Sequence, residues 1–147
     1  MIKNVMLIDD NKIDLFISQK IIEKYNPEIN TKVFTDAISA ISYLKILELN
    51  MDVKLLVVPD VILLDINMPE MNGFTFIEEL KQLQKLEIYK IEVYMLSSSI
   101  CPDDIFKAQK ETNCMGYIMK PLTVDKFKSA IGKYVSMDQT QNFKKII

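Results

Sequence analysis

Apolar runs that end abruptly in a chemically active side chain recur along this chain. Val5-Met6-Leu7-Ile8 runs into Asp9-Asp10, Leu63-Leu64 into Asp65, Val93-Tyr94-Met95-Leu96 into Ser97, and Tyr117-Ile118-Met119 into Lys120. A continuous apolar run reads as a strand buried on both faces, and the polar residue that ends it as a group delivered to the edge of the sheet. Between these runs the pattern changes to a helical period. The apolar positions Ile13, Phe16, Ile17, Ile21 and Ile22 predict a helix over Asn11–Tyr25, ended by Asn26-Pro27. Asp36 can cap a second helix through Ile38, Ile41, Leu44 and Leu47. Phe74, Ile77, Leu80 and Leu83 mark a third over Asn72–Leu83. Pro102 stands where a fourth can begin, ahead of Ile105, Phe106 and Ala108. Val124, Phe127 and Ile131 mark a fifth over Thr123–Tyr134.

With strands over Ile2–Ile8, Thr31–Phe34, Ile62–Leu64, Ile91–Leu96 and Met115–Met119, the order is five β-α units in series. Such a series predicts an α/β fold with a parallel sheet and helices on both faces. Two segments fit less well. Glu48–Val58 is long for a helix-to-strand connection, and is expected to extend the second helix, to pack under it, or to form an exposed contact patch. Val135–Ile147 is too short for a second domain and is expected to be a frayed end or an extra turn of helix.

Composition narrows the function. The chain has 147 residues, 49% of them hydrophobic, enough for one domain with a real core. Its formal net charge is -2 and all 18 basic residues are Lys. Arg is the favoured fork for guanine and phosphate, so its absence with an acidic balance argues against nucleic-acid reading. There is no His, which removes His-based general base catalysis, His-ligated zinc and a phosphohistidine carrier. Cys101 and Cys114 are too far apart for a CxxC site and suit two reduced thiols in a cytoplasmic protein. The longest apolar stretch, Leu55–Leu64, is broken by Pro59 and Asp60 and is too short to cross a bilayer. Three Gly cannot supply a phosphate loop or a dinucleotide fingerprint where one is needed.

Ligands of open α/β sheets bind beyond the carboxyl ends of the strands, and Asp9, Asp10, Asp65, Ser97 and Lys120 all fall there. If the first and third strands are neighbours, three carboxylates converge and repel, and a divalent cation relieves the repulsion. An oxygen-only site suits Mg2+. Lys120 can then pair with an anion beside the metal, and Ser97 can donate a hydrogen bond. That set fits phosphoryl transfer onto a carboxylate. Taken singly, each residue has a plainer reading: Asp10-Asn11 as a helix cap, Pro69 and Gly73 as turn residues, Ser97-Ser98-Ser99 as a polar loop, Lys120 as a solvated lysine.

Together, the acids Asp9-Asp10, the run Asp65-Ile66-Asn67-Met68-Pro69 with Gly73, the hydroxyl Ser97 and Lys120-Pro121 resemble a response-regulator receiver domain of two-component signalling, over Ile2 to about Tyr134. The resemblance implies a flavodoxin-like (βα)5 fold with strand order 2-1-3-4-5. It implies Asp65 as phosphoacceptor, with Mg2+ held by Asp10, Asp65 and the Asn67 backbone carbonyl, and by Asp9 mainly through water. Lys120 would contact the acyl phosphate. Ser97 and Tyr117 would be the switch pair, Tyr117 swinging inward as Ser97 moves. Ser98 fits the small residue that leaves room for the donor. Asn67 and Ser99 match the two positions that tune hydrolysis, and Ser99, lacking a carboxylate or amide, implies a long-lived phosphoryl group. Lys120-Pro121 is expected to be cis.

The chain is thus read as a receiver domain over residues 1–134 and a short tail over 135–147 with no output domain. Its expected donor is a sensor histidine kinase or phosphotransfer protein. Its output surface is expected near Asp103–Lys110 and Tyr117–Tyr134, the protein acting as a monomer or weak homodimer without nucleic acid or membrane. It would be no enzyme beyond its own phosphorylation and dephosphorylation. The rivals are a binding module that never turns over phosphate and a haloacid-dehalogenase-like phosphatase. The latter needs an acid where Asn67 stands, and Asn67 cannot donate that proton.

Overall fold

Parallel strands pair in the order β2-β1-β3-β4-β5-β6. The computed structural model describes residues 1–49, 56–132 and 145–147. The strands are β1 Asn4–Ile8, β2 Asn30–Phe34, β3 Val61–Leu64, β4 Glu92–Ser97, β5 Cys114–Met119 and β6 Lys145–Ile146; the helices are α1 Lys12–Tyr25, α2 Ala37–Leu49, α3 Gly73–Lys81, α4 Pro102–Lys110 and α5 Val124–Ile131. The first five strands follow the expected order 2-1-3-4-5. β1 and β3 are neighbours in register, Ile8 opposite Leu64, which puts their following acids side by side.

Successive side chains of a strand point to opposite faces, and two cores result. Met6, Ile8, Ile62, Leu64, Met95 and Tyr117 pack with α2, α3 and α4 on one face. Val5, Leu7, Leu63, Leu96 and Ile118 pack with Leu15 and Ile22 of α1 and Phe127 of α5 on the other. An edge-to-face contact of Tyr25 with Phe127, centroids 5.2 Å apart, joins the two helices on that second face. The Tyr94 hydroxyl donates to Ala130 O at 2.7 Å and ties α5 to the sheet.

Several expectations are corrected. On α1 the buried residues are Leu15, Ser18 and Ile22, while Ile13 is 71% and Phe16 60% exposed. The third helix ends at Lys81, and a 3-10 helix follows over Gln84–Tyr89. Glu48 explains its position: the end of α2 reaches across, and the Glu48 carboxylate accepts from Lys85 N at 3.0 Å and Leu86 N at 3.1 Å. The second helix is thus extended, through Leu49. Leu56 and Val58 pack on the core, while Leu49 and Val57 are exposed. Residues 50–55 of that connection lie outside the described residues.

The end of the chain also departs from expectation. Residues 135–144 lie outside the described residues, but Lys145–Ile146 form neither a frayed end nor a helix. They lie parallel to β5, with Gly116 opposite Lys145 and Tyr117 opposite Ile146. Lys120 N donates to Ser97 O at 3.0 Å on the β4 side, and Met119 N donates to Ile147 O at 2.9 Å on the other. Ile147 N returns a bond to Tyr117 O at 2.8 Å. A variant lacking residues 145–147 therefore exposes the edge of β5. Amide hydrogen exchange of Met119 is expected to speed up about tenfold or more in that variant, a local opening with little loss elsewhere; an unchanged Met119 rate would count against the pairing.

Candidate functional site

The ladder between β1 and β3 runs one residue past the strands, because Asp65 N donates to Ile8 O at 2.9 Å. Asp9 N likewise donates to Phe34 O at 3.1 Å. Both acids are therefore fixed by backbone bonds to neighbouring strands, and both are buried, Asp9 at 5% and Asp65 at 7% exposure. Asp9 Oδ1 accepts from Asn11 N at 2.9 Å. Asn11, not Asp10, caps α1, accepting from Ile13 N and Asp14 N. Asp10 is left exposed, with its carboxylate free of capping duty. One carboxylate oxygen each from Asp9, Asp10 and Asp65 lie within 4.8 Å of one another.

The electrostatics follow from that crowding. Burial, and next the Asp9 carboxylate, push the Asp65 carboxyl from its ordinary 3.8 up to about 6, against the pull of Lys120 and of the Ile66 N–H; Asp10 adds a smaller push upward. Lys120 Nζ lies 2.6 Å from Asp9 Oδ2, 2.9 Å from Asp14 Oδ2 and 3.7 Å from Asp65 Oδ2. Burial alone would lower the Lys120 ammonium, but its hydrogen bonds to Asp9 and Asp14 and its attraction to Asp65 leave it raised. Three crowded hard oxygen donors, one of them open to solvent, fit a divalent cation that keeps several waters. Asp9, Asp10 and Asp65 are the residues that would hold it.

The loop after β3 brings Asn67, exposed, and Met68, buried. Its one left-handed residue is Glu70, at φ 68°. Gly73 serves another purpose: it begins α3, and a Cβ built there would stand 2.5 Å from the Asp65 carbonyl oxygen. Gly73 N donates to Ile66 O at 2.9 Å, so the helix start is pressed directly onto the backbone of Asp65.

Ser97 ends β4 and is buried, its Oγ accepting from Ser99 N at 3.2 Å. Ser98 is exposed. The Ser99 hydroxyl donates to Asp104 Oδ2 at 2.7 Å in the first turn of α4. Tyr117 is buried, and its hydroxyl donates to Ser99 O at 2.7 Å. The strand carrying Tyr117 is thereby tied to the loop that follows Ser97. The Lys120–Pro121 bond is cis, and Lys126 Nζ brackets it by donating to Met119 O at 2.7 Å and Pro121 O at 3.1 Å.

Asp14 and Lys126 are the site residues that sequence reasoning overlooks. Asp14 stands in the first turn of α1, where an acid is ordinarily explained by the helix dipole, so the sequence carries no separate signal for it. Lys126, in an amphipathic helix, carries no mark that separates it from other surface lysines.

Comparison with known proteins agrees with the fold. The family model "Response regulator receiver domain" matches residues 5–132, and the chain belongs to that family. The polar-differentiation response regulator DivK of Brucella anthropi is 30% identical over 137 residues, covering 90% of this chain and 96% of that protein. DivK of Brucella ovis is 29% identical over 143 residues, covering 92% and 98%. Among solved structures, a two-component response regulator from Cytophaga hutchinsonii superposes with a TM-score of 0.76 at 32% identity, covering 88% of this chain and 93% of that one. The phosphorylated cyanobacterial phytochrome response regulator RcpA gives a TM-score of 0.67 at 29% identity, covering 88% and 89%. Among the described residues no helix is long and apolar enough to cross a membrane.

Proposed function

We propose that this receiver domain is a phosphoacceptor switch in which Asp65 takes a phosphoryl group from a histidine kinase or phosphotransfer protein. The observation that carries this reading is the convergence of Asp9, Asp10 and Asp65 with the Lys120 ammonium between them. An Asp65 carboxylate oxygen attacks the phosphorus, a P–O bond forms, and the bond to the donor breaks, the donor nitrogen or oxygen keeping the electron pair. Mg2+ at the three acids supplies neutralisation of the charge on the phosphoryl oxygens. The response regulator Rcp1, with a TM-score of 0.65 at 26% identity, is known in a Mn(2+)-bound form, which supports a divalent cofactor. Lys120 pairs with the phosphoryl anion, and the backbone-fixed acids hold the geometry on which this chemistry depends. Having no His, the chain must draw phosphate from a partner or a small donor. Exposed Ile13 and Phe16, on the helix that carries Asp14, leave an apolar surface beside the acids for a protein donor.

Phosphorylation then reads out through Ser97 and Tyr117. In the unphosphorylated chain Ser97 Oγ accepts from Ser99 N and Tyr117 holds Ser99 O, so a Ser97 hydroxyl drawn to a phosphoryl group loosens a loop to which Tyr117 is tied. Phosphorylation biases this element between two arrangements. The affected surface is α4, β5 and α5, through which the protein would bind a downstream partner in the cytoplasm.

Incubation with Mg2+ and acetyl phosphate, followed by intact-mass measurement, tests the assignment. Wild type is expected to gain one phosphoryl group, acetate leaving, and Asp65→Asn to gain none. Equal labelling of both, or of neither, sinks the reading.

A further inference from the structure

We propose that Asp14 is a positioning residue that holds Lys120 in reserve beside the acids, so that Lys120 can give way to a cation and return to a phosphoryl group on Asp65. The inference rests on the phosphoacceptor reading above. It starts from an asymmetry in the distances. The Lys120 ammonium lies 3.7 Å from Asp65 but makes contacts of 2.6 Å and 2.9 Å with Asp9 and Asp14. Its resting partners are thus not the reacting carboxylate. Asp9 belongs to the cation-holding group; Asp14 does not.

A cation among Asp9, Asp10 and Asp65 and an ammonium on Asp9 are like charges in one small space, and they repel. Lys120 can yield only by moving towards another anion, and Asp14 is that anion on the other side. The Asp14 carboxylate is well placed for this. It sits in the first turn of α1, where its own N–H donates to Asn11 Oδ1 at 3.1 Å, so its position is set by the cap that also fixes the loop after β1. Its side chain is a third exposed, whereas the Lys120 side chain is 11% exposed. The pair is therefore open to water on the Asp14 side only, where solvent can take over the carboxylate as the ammonium leaves. When a phosphoryl group arrives on Asp65, its greater negative charge draws Lys120 the short way back. Asp14 thus eases the entry of the cation and competes with the phosphoryl group for the same ammonium.

The two roles predict effects of opposite sign in Asp14→Asn. Without the carboxylate, Lys120 has no alternative to Asp9 and Asp65, and Mg2+ binding measured by calorimetry is expected to weaken about threefold to fivefold. At saturating Mg2+, where the cation occupies Asp9, phosphorylation by acetyl phosphate is expected to speed up about threefold to fivefold, because Asp14 no longer competes with the phosphoryl group for Lys120. Asp14→Glu, which restores the charge one methylene further out, should move both quantities back towards wild type. A supporting or merely structural role for Asp14 moves both quantities in the harmful direction. Slower or unchanged phosphorylation at saturating Mg2+, or Mg2+ binding that is unchanged or tighter, overturns the proposal. If wild type itself takes no phosphoryl group, the phosphoacceptor reading fails, and the Mg2+ titration alone decides whether Asp14 serves the cation.

Discussion

In the absence of metal at pH 7, Asp65→Asn is expected to unfold at a higher temperature than wild type. The Asp65 carboxyl sits at about 6 against an ordinary 3.8. A carboxyl raised by folding binds its proton more tightly in the folded chain than in the unfolded one. Its contribution to stability is therefore full below about pH 4 and is lost as pH rises through about 6. At pH 7 the shift corresponds to about 2–3 kcal/mol of strain held at the site. The amide keeps the shape and sheds the charge. It orphans nothing, because Lys120 retains Asp9 and Asp14. The melting temperature should rise by roughly 5–10 °C. Two controls identify the cause. The difference should shrink towards zero near pH 4, where wild type is protonated as well. It should reverse in saturating Mg2+, which binds the folded wild type and stabilises it by mass action. Calorimetry in chelator across pH 4–8 makes the measurement. A less stable Asp65→Asn at pH 7 would mean that Lys120 and the Ile66 N–H outweigh burial and Asp9. The expected gain belongs to a site in which ligand binding relieves a cost held by the fold.

The elements that carry this chemistry were legible because two independent signals agree at each of them. A buried strand needs an apolar run, and a strand-end site needs a polar residue where the run stops; Leu64-Asp65 and Met119-Lys120 satisfy both. The serial β-α pattern supplies the parallel sheet, while the order of its strands comes from the family resemblance and not from periodicity. Legibility fails where one signal stands alone. On α1, Ile13, Phe16 and Ile17 form an apolar stripe as good as any buried one, yet Ile22 lies half a turn round from Ile13 and belongs to the opposite face, whose members include Ser18. Periodicity locates a stripe but does not say whether it meets the sheet. The 3-10 helix at Gln84–Tyr89 has no period of its own, and its place depends on Glu48, far away in sequence. β6 is two residues long, and its formation rests on an open strand edge rather than on local propensity. Asp14 has the same character, since an acid in a first helical turn is usually explained by the helix dipole. Only its 2.9 Å contact with Lys120, 106 residues on, gives it another role.

Gly73→Ala is the substitution expected to damage the fold and the site together. By helix propensity alone Ala should be the better residue at the start of α3, and Gly73 has no positive φ that would forbid it. Contact reverses the sign. An added Cβ meets the Asp65 carbonyl oxygen at 2.5 Å, Ile66 Cα at 3.2 Å and the Asp65 carbonyl carbon at 3.3 Å. All three are backbone atoms, so no flexible side chain can turn aside. Gly73 N also donates to Ile66 O at 2.9 Å, so the helix cannot back away without breaking that bond. On the far side, Asp65 N is bonded to Ile8 O in the sheet, which limits retreat in that direction. Overpacking of this kind costs about 2–3 kcal/mol, or on the order of 10 °C in melting temperature for a domain of this size. The displacement falls on Asp65 itself. A carboxylate moved by a few tenths of an ångström loses its fit to the other acids, so Mg2+ binding should weaken and phosphorylation by acetyl phosphate should slow at temperatures where the variant is still folded. Thermal melts, with Mg2+ titration of the folded variant, separate the two effects. A variant as stable as wild type with the same Mg2+ affinity would show that α3 can move off the Asp65 backbone freely, and that the close approach at Gly73 does not set the position of the acid.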